Sequence, residues 1–272
     1  MSIPYFPEVR PDLLKILEDA KIWIREAGQL ALKDFENVSL LPAKTDDTLL
    51  TTTDLAIENF LASKIQQKYP DHNLLTEENG HKQTGSPYTW VIDPLDGTTI
   101  FTCGLPGWGI SIALLQDGQP KIGLYYMPLL DDLTYVTPHI TIWKNQRLHW
   151  TVQADWGIKG FLATNARAHH NFQINVERTR TLGSVATSLV YTARGSATGA
   201  FIPRAYLWDL AAGALILQQA GGELRYLQSA TLVELSALLH GRHAPEPIIA
   251  GHPAVLDRLH EAIQIKPTSE KA

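Results

Sequence analysis

One run constrains this chain more than any other: Trp90-Val91-Ile92-Asp93-Pro94-Leu95-Asp96-Gly97-Thr98-Thr99. A short apolar β run stops at Pro94 and delivers two carboxylates, three residues apart, at a strand end closed by Pro and Gly. Asp93 and Asp96 then project into the same small volume. Like charges that close raise each other's pKa unless a cation is present. Gly97 and Thr98 begin a turn or short helix whose N–H groups can hold an anion. Acids that hold cations, cations that neutralise phosphate and amides that orient it make up a metal-assisted phosphoryl site. Read alone, the run leaves a lesser alternative: Asp93 caps a strand and Asp-Gly is an ordinary turn.

Other acidic positions bear on that choice. Glu77-Glu78 follows the strand-like run Asn73-Leu74-Leu75 and taken alone reads as a solvated loop. Asp54 stands at the start of a helix after three threonines. Asp209 follows Trp208 and precedes Leu210-Ala211-Ala212-Gly213. A helix cap explains Asp209 as well as a metal ligand does, and a capping carboxylate still has a lone pair to offer. Hard oxygen donors without a cysteine or histidine cluster favour magnesium over zinc. The adjacent pair His169-His170 reads as solvated imidazoles on a polar loop.

Composition narrows the classes. The 272 residues suggest one large domain or two intimately packed halves. Apolar residues are 44% and charged residues 19%, enough to bury a substantial core. The single cysteine, Cys103, excludes an internal disulfide framework and a cysteine-rich zinc site. A formal charge of −5 argues against a partner such as a nucleic-acid polymer. No apolar run reaches the ~18 residues of a membrane helix, and Met1 to Pro7 shows no secretory pattern. The expectation is a soluble, cytoplasmic protein with no membrane partner.

Residues 11 to 36 carry apolar side chains at helical spacing, with Pro11 in the first turn. Thr53 or Asp54 caps a second helix ending at Tyr69-Pro70-Asp71. Ile110 to Gln116, the turn Asp117-Gly118 and Lys121 to Met127 form a hairpin. Runs around Thr134-Tyr135-Val136 and Thr141-Ile142-Trp143 extend an antiparallel sheet. The C-terminal half alternates: strand Phe161 to Thr164, helix Ser184 to Ala193, strand Ala200 to Ile202, helix Leu210 to Ala220, strand Ile248 to Ala250 and helix Ala254 to Ile263. That alternation favours an α/β layer. Lys266 to Ala272 reads as a disordered tail.

Four blocks together resemble the inositol monophosphatase family of magnesium-dependent, lithium-sensitive phosphatases, over roughly residues 10 to 260. They are Asp93-Pro94-Leu95-Asp96-Gly97-Thr98; Trp208 to Gly213 with Gly221-Gly222; Glu77-Glu78 after Lys68-Tyr69-Pro70-Asp71-His72; and Leu50-Thr51-Thr52-Thr53-Asp54. The resemblance implies an α+β and α/β chain folded as a layered α-β-α-β-α sandwich of the sugar phosphatase type, often homodimeric. Residues 1–272 would form a single catalytic unit, with an α+β half at 1–157 and an α/β half at 158–272. It implies two to three Mg2+ ions. Glu77, Asp93 and the Leu95 carbonyl would hold the first. Asp93, Asp96 and Asp209 would hold the second, and Glu77, partly through water, a weaker third. Thr98, supported by Asp54, would orient and help deprotonate the attacking water. Substrate would meet Gly97, Thr98, Asp96, Gly183, Ser184 and Asp209, and Lys44 matches loosely an upstream basic residue of the family.

Three departures bear on substrate. Ile100 stands where the family usually has Asn, and Thr76 where it usually has Gly. Ile202 replaces a glutamate that binds substrate hydroxyls in inositol-specific members and cannot accept a hydrogen bond. Two residues on, Arg204 is either a solvated charge or a bidentate partner for a second phosphate. The expected activity is magnesium-dependent hydrolysis of a small polyol or sugar phosphate monoester, resembling inositol 1-phosphate. A bisphosphate, either fructose 1,6-bisphosphate or 3′-phosphoadenosine 5′-phosphate, is the alternative substrate. A catalytically silent homologue that binds a phosphorylated ligand is the alternative of another class.

Overall fold

The computed structural model describes residues 11–42, 48–138, 140–143 and 146–267. Helices α1 (Pro11–Asp34) and α2 (Thr52–Lys68) come first. Strands β1 (Asn73–Thr76), β2 (Gly80–Lys82) and β3 (Tyr88–Asp96) follow, then the short helix α3 (Thr98–Thr102). Strands β4 (Gly109–Gln116), β5 (Gln119–Met127), β6 (Asp132–Thr137), β7 (Ile140–Trp143) and β8 (Gln146–Leu148) complete an eight-stranded sheet. Its order is β2-β1-β3-β4-β5-β6-β7-β8, antiparallel except between β1 and β3.

The remainder runs β9 (Leu162–Ala163), α4 (Ala168–Asn171), β10 (Phe172–Ile174), β11 (Thr179–Arg180), α5 (Val185–Ala193), β12 (Gly199–Ile202), α6 (Leu207–Gln219), β13 (Glu223–Tyr226), β14 (Ile248–Gly251), α7 (Pro253–Ala262) and β15 (Ile263–Ile265). A second sheet has the order β11-β9-β12-β14-β13, and β10 pairs with β15 apart from it.

Successive side chains on a strand point to opposite faces, so a strand covered on both sides must be apolar at both parities. In β3, Trp90 and Ile92 pack with Ile24 of α1 and with Ile57 and Leu61 of α2, while Val91 joins Leu189 of α5 and Leu210 of α6. The same α5–α6 core takes in Ala200 of β12 and Ala250 of β14 on its other side. The far face of the second sheet gives Phe201 and Ile249 to a third core with Val255 and Leu259 of α7. The layers are therefore α-β-α-β-α, as the resemblance implies. The C-terminal end of α5 is tied to the first sheet by half-buried Arg194, whose guanidinium donates two hydrogen bonds to Asp132, at 2.9 and 2.6 Å.

The hairpin forms at Asp117-Gly118, both with positive φ, as a two-residue turn favours. Three expectations need correction. The cap of α2 is Thr51, not Thr53 or Asp54; its hydroxyl accepts from the Thr53 and Asp54 N–H groups, and Asp54 is the reciprocal member of a capping box. Strand β3 does not stop at Pro94 but runs on to Asp96. The last helix ends at Ala262, because Ile263 enters β15 against β10. Lys44 and residues 268–272 of the expected tail lie outside the described residues. Among the described residues, no helix is long and apolar enough to cross a membrane.

Candidate active site

The site begins with a register fault. Asp93 pairs with Ser111 and Asp96 with Gly109, so three steps along β3 match two along β4. This bulge sits in an interior strand, where proline is tolerated because the extra residue leaves the ladder. In a regular strand, residues three apart face opposite sides; the bulge turns Asp96 to the same side as Asp93. Asp93 Oδ1 accepts the Leu95 N–H at 3.0 Å. The Leu95 carbonyl accepts from the Thr98 hydroxyl at 3.1 Å.

Asp209 arrives from the other half of the chain. It lies in the first turn of α6, where its Oδ2 accepts the Tyr206 N–H at 2.5 Å. Helix α6 packs on β3, β4 and β5. Ligand atoms of Asp93, Asp96 and Asp209 all lie within 4.8 Å of one another. Glu77, in the turn after β1, is close enough to raise the Asp93 pKa by its charge.

Burial raises both strand carboxylates above their ordinary range. Asp93 is shifted well upward, first by desolvation and then by the charges of Glu77, Asp96 and Asp209. Asp96 is pushed up to about 6 by desolvation, against hydrogen bonds that favour its charged form. Those bonds come from the Ser184 and Tyr125 hydroxyls and from the first turn of α5, where the Val185 and Ala186 N–H groups donate to Asp96 at 3.2 and 2.9 Å. A cluster of buried, mutually repelling, oxygen-only donors fits a hard divalent cation, which removes the penalty of ionising them together.

Around this cluster the remaining expected residues are distributed as follows. Asp54 uses both oxygens: Oδ2 accepts from the Thr51 N–H at 2.9 Å and from the Thr51 hydroxyl, and Oδ1 faces the Thr98 hydroxyl at 3.1 Å. Gly97, with φ +99°, precedes α3, and no side chain caps that helix. A Cβ on Gly97 would stand 3.2 Å from Ser184 Cβ and 3.3 Å from the Gly183 carbonyl, so three expected substrate-side residues adjoin. Ser184 caps α5, accepting the Thr187 N–H at 3.0 Å. Ile100 fills the space beside Gly183, where a Cβ would meet it at 2.7 Å. Ile202 is buried in the α5–α6 core.

Arg204 is exposed, donates to the Tyr206 hydroxyl at 2.6 Å and lies over the Tyr206 ring. Tyr206 in turn stacks on Trp208 at 4.6 Å between centroids. Tyr206 thus links Arg204 and Asp209: its hydroxyl takes the Arg204 guanidinium and its N–H donates to Asp209. His169 and His170 are exposed on α4, outside any group of three metal-ligating residues found among the described residues.

Sequence reasoning missed three contributors. Tyr125 on β5 puts its hydroxyl 3.0 Å from Ser184 Oγ and 2.7 Å from Thr187 Oγ1. Glu58 on α2 is fully buried and accepts from the turn that carries Glu77. Tyr206 holds Asp209 through its backbone. Only Glu58 left a signal: it stands four residues after Asp54, on the same face of a helix.

A family model described as the inositol monophosphatase family matches residues 12–264. The inositol-1-monophosphatase of Bacillus subtilis is 28% identical over 261 residues, 91% of this chain and 96% of that protein. The Nus factor SuhB of Pasteurella multocida is 34% identical over 213 residues, 73% of this chain and 80% of its own length. Among solved structures, the IMPase of Thermotoga maritima superposes with a TM-score of 0.78 at 21% identity, covering 91% of this chain and 96% of that one.

Proposed function

The chain belongs to the inositol monophosphatase family, and from that premise we propose that it hydrolyses the phosphate monoester of a small polyol or sugar in a Mg2+-dependent reaction. The observation that carries this reading is the convergence of Asp93, Asp96 and Asp209 within 4.8 Å. Those residues, with Glu77 and the Leu95 carbonyl, would hold two to three magnesium ions. Bound there, the cations supply charge neutralisation for the phosphate and acidify a coordinated water.

The chain's own groups divide the rest of the work. The Thr98 hydroxyl, flanked by Asp54 Oδ1, orients the attacking water and passes its proton toward Asp54. The N–H groups at the start of α3 face the phosphate, and Gly97 lets it approach because no Cβ intervenes. Ser184 lines the same wall and hydrogen-bonds substrate. The reading places the enzyme in the cytoplasm as a homodimer.

Ile202 and Arg204 favour a second substrate reading. With no acceptor at Ile202 for polyol hydroxyls, and an exposed guanidinium on Tyr206, whose N–H holds Asp209, a bisphosphate such as fructose 1,6-bisphosphate or 3′-phosphoadenosine 5′-phosphate would find a partner for its second phosphate. The relatives named Nus factor keep open a binding role; intact ligands and Thr98 favour catalysis over a silent homologue. Phosphate release from inositol 1-phosphate, fructose 1,6-bisphosphate and 3′-phosphoadenosine 5′-phosphate, each with and without Mg2+, tests all three. Magnesium-dependent release from one of them is expected. Tight binding of all three with no release from any would overturn the enzymatic reading.

A further inference from the structure

Helix α2 presents two carboxylates to the site from one face. Asp54 reaches Thr98. Glu58, one turn later, is fully buried and reaches the turn that carries Glu77. Glu58 Oε1 accepts the Asn79 N–H at 2.7 Å and the Thr76 hydroxyl at 2.8 Å, and Oε2 accepts the Glu78 N–H at 2.9 Å. These three donors bracket Glu77 on both sides. Such a turn, short and half-buried, would otherwise have its N–H groups free to seek water.

We propose that Glu58 is the positioning residue for Glu77, and that the Thr76 hydroxyl completes its grip, so that the Glu77 carboxylate is fixed toward Asp93 before a cation arrives. The inference rests on the reading that these carboxylates hold divalent cations. Two features support it. Glu58 makes no contact with Asp93, Asp96 or Asp209 among its hydrogen bonds, so its effect passes through the Glu77 turn. A carboxylate has acceptors only, and each of its hydrogen bonds here comes from an N–H or O–H donor. Thr76 also gains a purpose: a glycine there would leave Glu58 with one donor fewer.

Groups behind metal ligands typically change affinity by 10- to 100-fold when altered. In Glu58→Gln, the amide NH2 must face an N–H or hydroxyl donor, so one bond is lost and one repulsion gained. Thr76→Val removes the hydroxyl at nearly constant shape, and Thr76→Ser keeps it. Calorimetric titration of the metal-free protein with Mn2+ reads affinity without turnover. Glu58→Gln is expected to weaken Mn2+ binding by about tenfold or more. Thr76→Val should weaken it less, and Thr76→Ser should match wild type. A merely structural role would lower the unfolding midpoint while leaving the affinity of the folded protein unchanged. Equal Mn2+ affinity in wild type, Thr76→Val and folded Glu58→Gln overturns the inference and spares the functional reading. Absence of Mn2+ binding in wild type overturns both. If Glu58→Gln does not fold, the Thr76→Val and Thr76→Ser pair decides.

Discussion

Thr98 Oγ1 stands 3.1 Å from Asp54 Oδ1, joining the residue that follows the β3 bulge to the capping box of a helix far earlier in the chain. The hydroxyl has one proton and two acceptors in reach, Asp54 and the Leu95 carbonyl. Replacing Thr98 with Val keeps the branched shape and removes the relay. Turnover should fall by about 10²- to 10⁴-fold, the usual range for a lost general acid–base group. The magnesium concentration for half-maximal rate should barely move. Steady-state kinetics across a magnesium series checks both, and a large shift in magnesium dependence would make Thr98 a ligand instead.

Asp93 feels the charges of Glu77, Asp96 and Asp209, and Asp93→Asn relieves the repulsion while its amide oxygen can still accept the Leu95 N–H. The variant should lose turnover, and its metal-free form should melt no lower than wild type. Magnesium should no longer raise its melting point. Thermal denaturation with magnesium and with a chelator tests this; a variant markedly less stable without metal would mean that the charge is satisfied by the protein alone.

The pH dependence follows from Asp96. Its folded pKa is raised from 3.8 to about 6, so between those values the folded chain binds more protons than the unfolded one. Stability from this group is complete below the unfolded value and is lost as pH rises through about 6. The metal-free protein should therefore lose melting temperature between pH 5 and 7. Magnesium competes with that proton, so its stabilising effect should be larger at pH 7 than at pH 5. A chelator-treated protein that gains stability over this interval would contradict the assignment.

Tyr125 donates where Thr187 cannot. The Thr187 hydroxyl is already committed to the Gly107 carbonyl at 3.2 Å, which leaves its oxygen to accept from Tyr125 at 2.7 Å. Tyr125→Phe leaves the buried Thr187 oxygen without this donor and should cost about 1–3 kcal/mol of unfolding free energy in urea titration. An unchanged midpoint would show that Ser184 and Thr187 satisfy each other.

For Arg204, the discriminating measurement is a ratio. Arg204→Ala should raise KM for a bisphosphate substrate more than for a monophosphate. Equal effects on the two would count against a phosphate partner at Arg204.

Local patterns carried α1, the Asp117-Gly118 hairpin and the helix from Ser184 to Ala193 into the sequence reading, because spacing and turn chemistry encode them directly. The acidic cluster was legible through its composition. Its geometry was not: a strand read as ending at Pro94 continues because the proline occupies a bulge, and only the register against β4 reveals that. Tyr125 and Glu58 were missed for a related reason. In sequence, Tyr125 is one more large residue in an apolar strand and Glu58 one more polar residue on a helix, and their hydrogen bonds run to residues distant along the chain. The short strands β10 and β15 escaped because each is defined by the other, with little pattern of its own.

Gly97, Gly107 and Gly183 stand in close quarters, with neighbouring main chain and the Ile100 and Ser184 side chains leaving little room for a Cβ. All three have positive φ, and a methyl on Gly107 would collide with the Leu182 carbonyl. A survey of random variants selected for activity would thus return three invariant positions that contribute no reactive group. Their intolerance would reflect shape alone, and a screen scored only by loss of function would rank them beside the acids.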